Sequence, residues 1–285
     1  IIVENNSLGK PNIKLKGTSD SEILVNSFSV LGIDETLNLI KGQFSIVLWD
    51  KRNEKIHLIR DRMGEKPLYF GFVNNDFVFA SELKSIRKHP GFNNKINFDI
   101  LNLYFKYLAI PEPYSIYNNI YKLLPGSILS IKHQDIFKCN KINFHEHKSN
   151  NFFNYKRYWS LYDIATKSNN FDNISKNHIT DTLEKKLLDS IKIQSQADVN
   201  LGVFLSSGVD SSLIASLMQS QSILPINTYT VGFDNESYNE TTDSKKIAKC
   251  LGTNHHEINV NSMDALNFVD KINDIYCEPF ADSSQ

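Results

Sequence analysis

The amino-acid sequence predicts an α+β domain of antiparallel strands and helices, followed by an α/β domain with a parallel sheet. Three observations predict this order. Strand-like runs with a hairpin signal dominate residues 1–132. Residues 133–178 are rich in Asn, Lys, His and Ser and lack apolar periodicity, which is typical of an irregular junction. Residues 179–285 alternate between strand-like and helix-like segments, which favours a parallel sheet with helices on both faces.

The elements of the first domain are predicted by apolar spacing and by capping and turn residues. Ser-Asp-Ser-Glu at residues 19–22 fits a capping box, and a second helical stretch stops at Gly42. Asn-Asn-Asp at residues 74–76 lies between two strand-like runs and predicts a hairpin. Helical spacing returns twice beyond the hairpin, and Pro111 ends the second of these helices. The strand-like runs cover residues 44–49, 55–60, 68–73 and 77–80.

The second domain opens with a predicted helix over residues 181–194, whose leucines and Ile191 lie on one stripe. Strands and helices then alternate, each bounded by polar turn residues. The strands are predicted at residues 201–205, 227–231 and 256–260, and the helices at 213–219, 244–251 and 264–275.

The most informative segment is Ser-Ser-Gly-Val-Asp-Ser-Ser at residues 206–212, between the first strand and helix of this series. Small residues let backbone N–H groups approach an anion, and a helix N-terminus favours negative charge. Asp210 alone would repel phosphate, so its place is explained if it holds Mg²⁺ that grips phosphate oxygens. No Gly-Lys-Ser/Thr follows, so the loop is not a Walker A motif. The alternative is an ordinary strand–turn–helix corner.

Composition excludes several classes of partner. The formal net charge is −1, which gives no electrostatic reason to expect nucleic acid or an anionic membrane. No apolar run approaches membrane-spanning length. The three cysteines, Cys139, Cys250 and Cys277, are far apart and lack metal-ligand spacing, which suits a reducing compartment and predicts a cytoplasmic location.

Two other polar clusters resemble sites but favour a structural interpretation. The charge-rich segment from Arg60 to Lys66 reads as a turn between strands. The adjacent His255 and His256 should point to opposite faces of a strand, so a shared metal is not expected.

Nine short segments, taken in order, resemble asparagine synthetase of the glutamine-hydrolysing type. Residues 206–212 resemble the pyrophosphate loop of ATP-pyrophosphatase domains, Ser-Gly-Gly-x-Asp-Ser, with Ser207 in place of the first glycine. The matching segments are residues 17–22, 42–45, 60–69, 79–84, 206–212, 230–234, 238–240, 251–257 and 278–285.

The resemblance implies a fold and a pair of reactions. The first domain would be an N-terminal-nucleophile amidotransferase that releases ammonia from glutamine. The second would use ATP and Mg²⁺ to convert a carboxylate, aspartate in this family, into an acyl-adenylate that ammonia turns into an amide. A homodimer is one assembly that the resemblance admits.

The resemblance also implies roles for individual residues. Asp20 matches the residue that holds the α-amino group of glutamine, although it can equally support the helix start. Phe204 and Leu205 match positions that line the adenosine pocket, and core burial is expected in either case. Val231 ends a predicted strand at the position where the backbone would hydrogen-bond to the edge of the adenine. The alternative is that Val231 is an ordinary strand residue. The pyrophosphate would be held by Ser206, Ser207, Gly208, Val209, Asp210, Ser211 and Ser212.

The chain departs from the family pattern in ways that leave alternatives open. Residue 1 is Ile1 rather than the nucleophilic cysteine, and the family's second ATP-binding segment is not found before Gln285. We therefore expect an inactive fragment of a longer enzyme. The rivals are an amidotransferase acting on another carboxylate, such as a sugar uronic acid, and a non-catalytic nucleotide-binding remnant. Glu278 and Asp282 lie where the acceptor pocket would begin, or form a polar loop.

Overall fold

The computed structural model describes residues 2–3, 16–17, 19–139, 148–167, 175–197, 199–234 and 239–281. The chain divides into two compact units. The first comprises Ile1–Ser168 and Ile272–Gln285, and the second comprises Asn169–Lys271. The chain thus returns to the first unit after residue 271, which the sequence does not signal. The domain limits at residues 132 and 178 stay predictions.

The first unit is built around antiparallel sheets, as the sequence predicts. The strands are β1 (Ile2–Val3), β2 (Ile40–Lys41), β3 (Ser45–Asp50), β4 (Lys55–Arg60), β5 (Tyr69–Val73), β6 (Asp76–Ala80), β7 (Ile120–Lys122), β8 (Ser127–Lys132) and β9 (Phe153–Arg157). Strand order is β3-β4-β8-β9 in a four-stranded sheet and β6-β5-β7 in a three-stranded sheet, while β1 pairs with β2. The helices are α1 (Asp20–Leu39), α2 (Leu83–Arg87), α3 (Phe98–Tyr107), α4 (Ile136–Cys139) and α5 (Leu161–Lys167).

The core of the first unit lies on both faces of the four-stranded sheet. Successive side chains of a strand point to opposite faces, so Leu58 and Ile59 of β4 enter different clusters. Leu58 packs with side chains of the three-stranded sheet, including Phe70. Ile59 packs with side chains of α1, including Phe28. Burial on both faces explains why two large apolar residues, Leu58 and Ile59, stand side by side in β4 instead of alternating with polar ones.

The start of α1 differs in detail from the predicted capping box. Ser19 caps the helix, and its hydroxyl accepts a hydrogen bond from the N–H of Ser21. The carboxylate of Glu22 accepts from the N–H groups of Lys16 and Gly17 at 2.7 and 2.8 Å, rather than returning to Ser19. The two predicted helices run together as α1, with a kink at Gly32, where φ is +79°.

The segment predicted as an irregular junction is more regular than its composition indicates. β9 pairs with β8 along its whole length, and α5 follows it. Phe153 is buried in the core between the two sheets, with Tyr155 packed against it, whereas Asn154 and Lys156 are exposed. Only two apolar side chains therefore mark this strand among polar residues. Residues 140–147 and 168–174 of the segment lie outside the described residues.

The second unit has the parallel sheet that the sequence predicts. Its strands lie in the order β10 (Gly202–Phe204), β11 (Asn227–Phe233) and β12 (Asn254–Val260), and both neighbouring pairs are parallel. The predicted helix over 264–275 is two helices, of which α10 (Ile272–Ile275) belongs to the first unit. No helix among the described residues is both long and apolar enough to cross a membrane. The elements of the second unit are α6 (Lys176–Gln194), β10 (Gly202–Phe204), α7 (Val209–Ser220), β11 (Asn227–Phe233), α8 (Thr241–Leu251), β12 (Asn254–Val260) and α9 (Ser262–Val269).

Candidate functional site

The loop between β10 and α7 lies where parallel strands end, the edge at which open α/β sheets bind ligands. Leu205, the first residue of this loop, is held in place by hydrogen bonds and by packing. The N–H of Leu205 donates to the carbonyl of Tyr229 at 2.8 Å, and the hydroxyl of Thr230 donates to the carbonyl of Leu205. Leu205 is 2% exposed and packs with Ala215 of α7. The loop is therefore fixed to β11 and to its own helix.

Serine side chains of the loop hold it against the first turn of α7. The hydroxyl of Ser211 accepts from the N–H of Ser206 at 3.1 Å and lies 2.7 Å from the Ser206 hydroxyl. The Ser206 hydroxyl accepts from the N–H of Gly208 at 3.2 Å. Ser212 donates to the carbonyl of Gly208 at 2.8 Å. The loop shape is thus set by residues of the motif itself.

The N-terminus of α7 has no side-chain cap. Gly208 occupies the N-cap position with extended dihedrals, φ −70° and ψ 152°. Val209 is 82% exposed, and Asp210 in the first turn is also exposed. The helix therefore presents its first N–H groups and the Asp210 carboxylate on an accessible surface, where anions are favoured.

Ser207 fits the loop without the strain that a serine in place of a glycine could cause. The described non-glycine residues with positive φ are Glu54, Asn74, Leu108 and Asn119. Ser207 is not among them, so its backbone does not need the conformation that favours glycine. The departure from the usual loop sequence leaves the strand–loop–helix geometry intact.

Glu240 contacts the loop and was not singled out from the sequence as a site residue. Its Oε2 atom accepts hydrogen bonds from both the N–H and the hydroxyl of Ser207, at 3.0 and 3.1 Å. Glu240 immediately precedes α8. The only sequence signal for it was its place in the matching segment 238–240, because no local pattern shows which loop it faces.

The three residues predicted at the adenosine pocket differ in exposure. Leu205 is buried as expected, but Phe204 is 80% exposed, so the expectation that both are buried is wrong for Phe204. Adjacent strand residues point to opposite faces, and the Leu205 face is the one that α7 and α8 cover. Val231 is 39% exposed, and β11 continues past it to Phe233, so the expectation that Val231 ends its strand is wrong. The adenosine contacts of all three stay predictions.

The donor set suits a metal shared with a ligand rather than an all-protein metal centre. Within the described ranges no group of three or more His, Cys, Asp or Glu side chains could hold a metal ion. Mg²⁺ is commonly held by one or two carboxylates together with substrate phosphates. Asp210, exposed beside the uncapped start of α7, fits that kind of site.

The first unit contains the other predicted ligand contact. Asp20 is the first residue of α1, is exposed, and follows the N-cap Ser19. This position is compatible with both interpretations made from the sequence, a ligand for an ammonium group and support of the helix N-terminus. The glutamine contact of Asp20 stays a prediction.

The charged turn that begins at Arg60 is structural, as expected. Asp61 is 1% exposed, and its carboxylate accepts from the N–H groups of Phe44, Met63, Glu65 and Lys66 at 3.0–3.3 Å. The Arg60 guanidinium donates to three backbone carbonyls and pairs with Glu112. These side chains are fully used in holding the turn.

The neighbouring histidines also behave as predicted. His255 Nδ1 lies 3.0 Å from the hydroxyl of Thr228, whereas the His256 ring stacks on Tyr229 with centroids 4.9 Å apart. The two rings thus occupy opposite faces of β12 and do not form a common metal site.

The structure places Glu278 in the first unit. Its Oε1 accepts from the N–H of Ile116 at 2.8 Å, and its Oε2 pairs with Lys122. Burial raises the pKa of the Glu278 carboxyl above its ordinary value, and the Lys122 charge opposes that rise. Asp282, the other acidic residue predicted near the acceptor pocket, lies outside the described residues.

Two known protein families match successive parts of the chain. Residues 5–141 match the family described as glutamine amidotransferase domain. Residues 182–285 match the family described as asparagine synthase. The loop at residues 206–212 lies within the second match.

Three relatives show how far the similarity extends. The putative glutamine-hydrolyzing asparagine synthetase 2 of Methanocaldococcus jannaschii is 32% identical over 96% of this chain and 50% of its own length. Asparagine synthetase 2 of Bacillus subtilis is 31% identical over 87% of this chain and 32% of its own. Amidase chyE of Penicillium rubens is 28% identical over 84% of this chain and 34% of its own length. The chain therefore spans half the length of these relatives or less.

Proposed function

Because the chain belongs to the family of glutamine-hydrolysing asparagine synthetases, we propose that the intact protein is an ATP-dependent amide-forming ligase. It takes nitrogen from glutamine and transfers it to aspartate, giving asparagine, glutamate, AMP and pyrophosphate. The observation that carries the proposal is the loop of residues 206–212, which lies at the ligand-binding edge of a parallel sheet. This sheet follows, in the same chain, a segment that matches the glutamine amidotransferase domain.

The reaction proceeds through an acyl-adenylate. A carboxylate oxygen of the acceptor attacks the α-phosphorus of ATP, and pyrophosphate leaves. Ammonia released from glutamine then attacks the acyl carbon, a proton is lost from nitrogen, and AMP leaves with the oxygen that joined it to the acyl group. A carboxylate is a poor electrophile, and the adenylate supplies a good leaving group. Water would hydrolyse this intermediate, so the completed site must exclude it.

The loop supplies the contacts for the departing pyrophosphate. The first N–H groups of α7 act as donors to phosphate oxygens, and residues 206–212 hold the loop around the phosphate through their own hydrogen bonds. Asp210 would hold Mg²⁺, which when bound neutralises part of the phosphate charge. Phe204, Leu205 and the backbone of Val231 contact the adenosine. Leu205, which is buried and bonded to β11, positions that side of the pocket.

In the first unit, Asp20 binds the α-ammonium group of glutamine through its carboxylate. The proposed partners are small molecules, and the proposed location is the cytoplasm. No nucleic acid or membrane takes part.

A second candidate is the same chemistry on a different carboxylate, such as a sugar uronic acid. The observation that favours it is the similarity to a fungal relative named an amidase rather than an asparagine synthetase. The two candidates share the loop, Asp210 and the nitrogen source, and differ only in the acceptor.

The test is to supply the intact protein with glutamine, MgATP and a panel of carboxylates, and to measure AMP, pyrophosphate and glutamate. Aspartate should stimulate AMP release above the other acceptors. Asp210→Asn should lower amide synthesis by about a hundredfold or more with either glutamine or free ammonia, and leave glutamine hydrolysis in place. Asp243→Asn, an exposed carboxylate on α8, is the matched control and should retain activity.

Two results would contradict the proposal. Near wild-type amide synthesis by Asp210→Asn would remove the basis for a pyrophosphate loop. A variant that lost only glutamine hydrolysis would show that the two chemistries are assigned to the wrong domains. If AMP were released with a different carboxylate and not with aspartate, the second candidate would be selected.

A further inference from the structure

The loop already binds an anion in this structure, and that anion is a side chain. Glu240 Oε2 lies 3.0 Å from the Ser207 nitrogen and 3.1 Å from the Ser207 hydroxyl oxygen. Both donors therefore converge on a single carboxylate oxygen, in the way two donors converge on a phosphate oxygen. The contact shows that Ser207 presents an anion-binding pair of donors on the loop.

The Glu240 carboxylate does not serve its own helix. Glu240 is the N-cap residue of α8, yet its side chain makes no capping hydrogen bond. The start of the helix is instead bonded by Asn239, whose Oδ1 accepts from the N–H and the hydroxyl of Thr241 at 3.1 and 2.7 Å. The Glu240 side chain is therefore directed across the end of the sheet to Ser207.

A glycine in β11 lets the start of α8 come close to the sheet. A Cβ on Gly232 would lie 2.6 Å from Thr241 Cγ2 and 2.5 Å from Asn259 Oδ1, both far inside normal contact. With glycine there, Asn239 and Thr241 pack against β11, and Glu240 between them reaches the loop. The approach of Glu240 to Ser207 is thus built into the fold of the second unit.

We propose that Glu240 is an exchangeable internal anion: it occupies the Ser207 donors when no nucleotide is bound, and a phosphate group displaces it on binding. The inference rests on the proposed function. It adds a role for the Ser207 hydroxyl, which becomes a second phosphate donor that a glycine at this position would lack. It also makes Glu240 a residue that sets the affinity of the loop for phosphate.

Charge and exposure both favour exchange. Ser207 and Glu240 are exposed, so water can replace each of them as the other's partner at little cost. A carboxylate and a phosphate carry the same sign of charge and cannot share the same two donors. Removing the Glu240 charge should therefore strengthen phosphate binding, while a residue that contributes to the ligand contact would have the opposite effect.

The experiment compares pyrophosphate binding by calorimetry to the intact wild-type protein and its variants, at one fixed Mg²⁺ concentration. Glu240→Gln should bind pyrophosphate at least about five-fold more tightly, which corresponds to one surface charge contact of about 1 kcal/mol. Asp243→Asn removes an exposed charge of the same helix, one that pairs with Lys246, and should change affinity by less than about two-fold.

A second variant tests the hydroxyl. In the Glu240→Gln background, Ser207→Ala should weaken pyrophosphate binding about five-fold, since one donor is lost and no carboxylate competes. A Glu240→Gln affinity equal to that of Asp243→Asn, or weaker than wild type, overturns the inference and leaves the proposed function standing. Failure of the wild-type protein to bind pyrophosphate at all refutes both.

Discussion

Replacement of Lys122 by methionine tests an ion pair within the first unit. This pair joins β7 to Glu278, which lies in the C-terminal part of that unit. Lys122 lies on β7 and pairs with Glu278, and the two side chains are only 14% and 9% exposed. Lys122 Nζ also donates to the carbonyl of Ile110 at 2.8 Å. Methionine has a side chain of similar length but no charge, so Glu278 is left buried without its cationic partner.

The expected loss follows from that burial. Removing one partner of a buried ion pair costs about 3–5 kcal/mol, because the remaining charge stays away from water. The cost is large against the 5–15 kcal/mol of stability that is roughly typical of a domain. Lys84→Met is the matched control: its pair with Glu82 is 45% and 49% exposed, so solvent screens it and its loss should be much smaller than that of Lys122→Met.

The assay is urea unfolding followed by tryptophan fluorescence, because both tryptophans, Trp49 and Trp159, lie in the first unit. Adding Glu278→Gln to Lys122→Met should restore most of the loss, since no buried charge remains. The loss should also shrink as pH falls, because the raised pKa of Glu278 lets the carboxyl take up a proton in the folded protein. A Lys122→Met loss below about 1 kcal/mol, or one independent of pH, would refute the reasoning.

Two further predictions concern the same unit. Burial lowers the pKa of His57, so its contribution to stability should be complete above about pH 6.5 and decline as pH falls towards the lower folded-state pKa. Urea unfolding between pH 8 and 5 should therefore show a smaller acid loss in His57→Gln, and equal slopes would contradict this. Gly126→Ala should lose about 1–3 kcal/mol, since φ is +63° and a Cβ would lie 2.4 Å from the Trp159 carbonyl oxygen. A loss below about 1 kcal/mol in the same measurement would contradict this.

Local patterns predicted much of the fold. The strand-like run at residues 55–60 coincides with β4, and Asn74 adopts the positive φ, 55°, that its hairpin turn requires. The strand–loop–helix around Asp210 was also predicted, because its polar turn lies between a short apolar run and a helical stripe. In each case the signal and the structure involve neighbouring residues.

Features that depend on distant partners were not predictable in this way. β9 carries only Phe153 and Tyr155 as apolar signal, and its pairing with β8 decides its structure. Glu22 fits a capping box by spacing, but the nearby N–H groups of Lys16 and Gly17 take its carboxylate. Glu240 contacts a loop 33 residues away, which no periodicity in the sequence encodes.

The central claim is that the protein activates a carboxylate as an acyl-adenylate, and isotope transfer tests it most directly. Aspartate labelled with ¹⁸O in both side-chain carboxylate oxygens is incubated with the intact protein, MgATP and glutamine, and the products are analysed by mass spectrometry. The account predicts one ¹⁸O in the phosphate of AMP for each asparagine formed, because the oxygen that attacks the α-phosphorus leaves with AMP. ADP as the product, with ¹⁸O in inorganic phosphate, would contradict it.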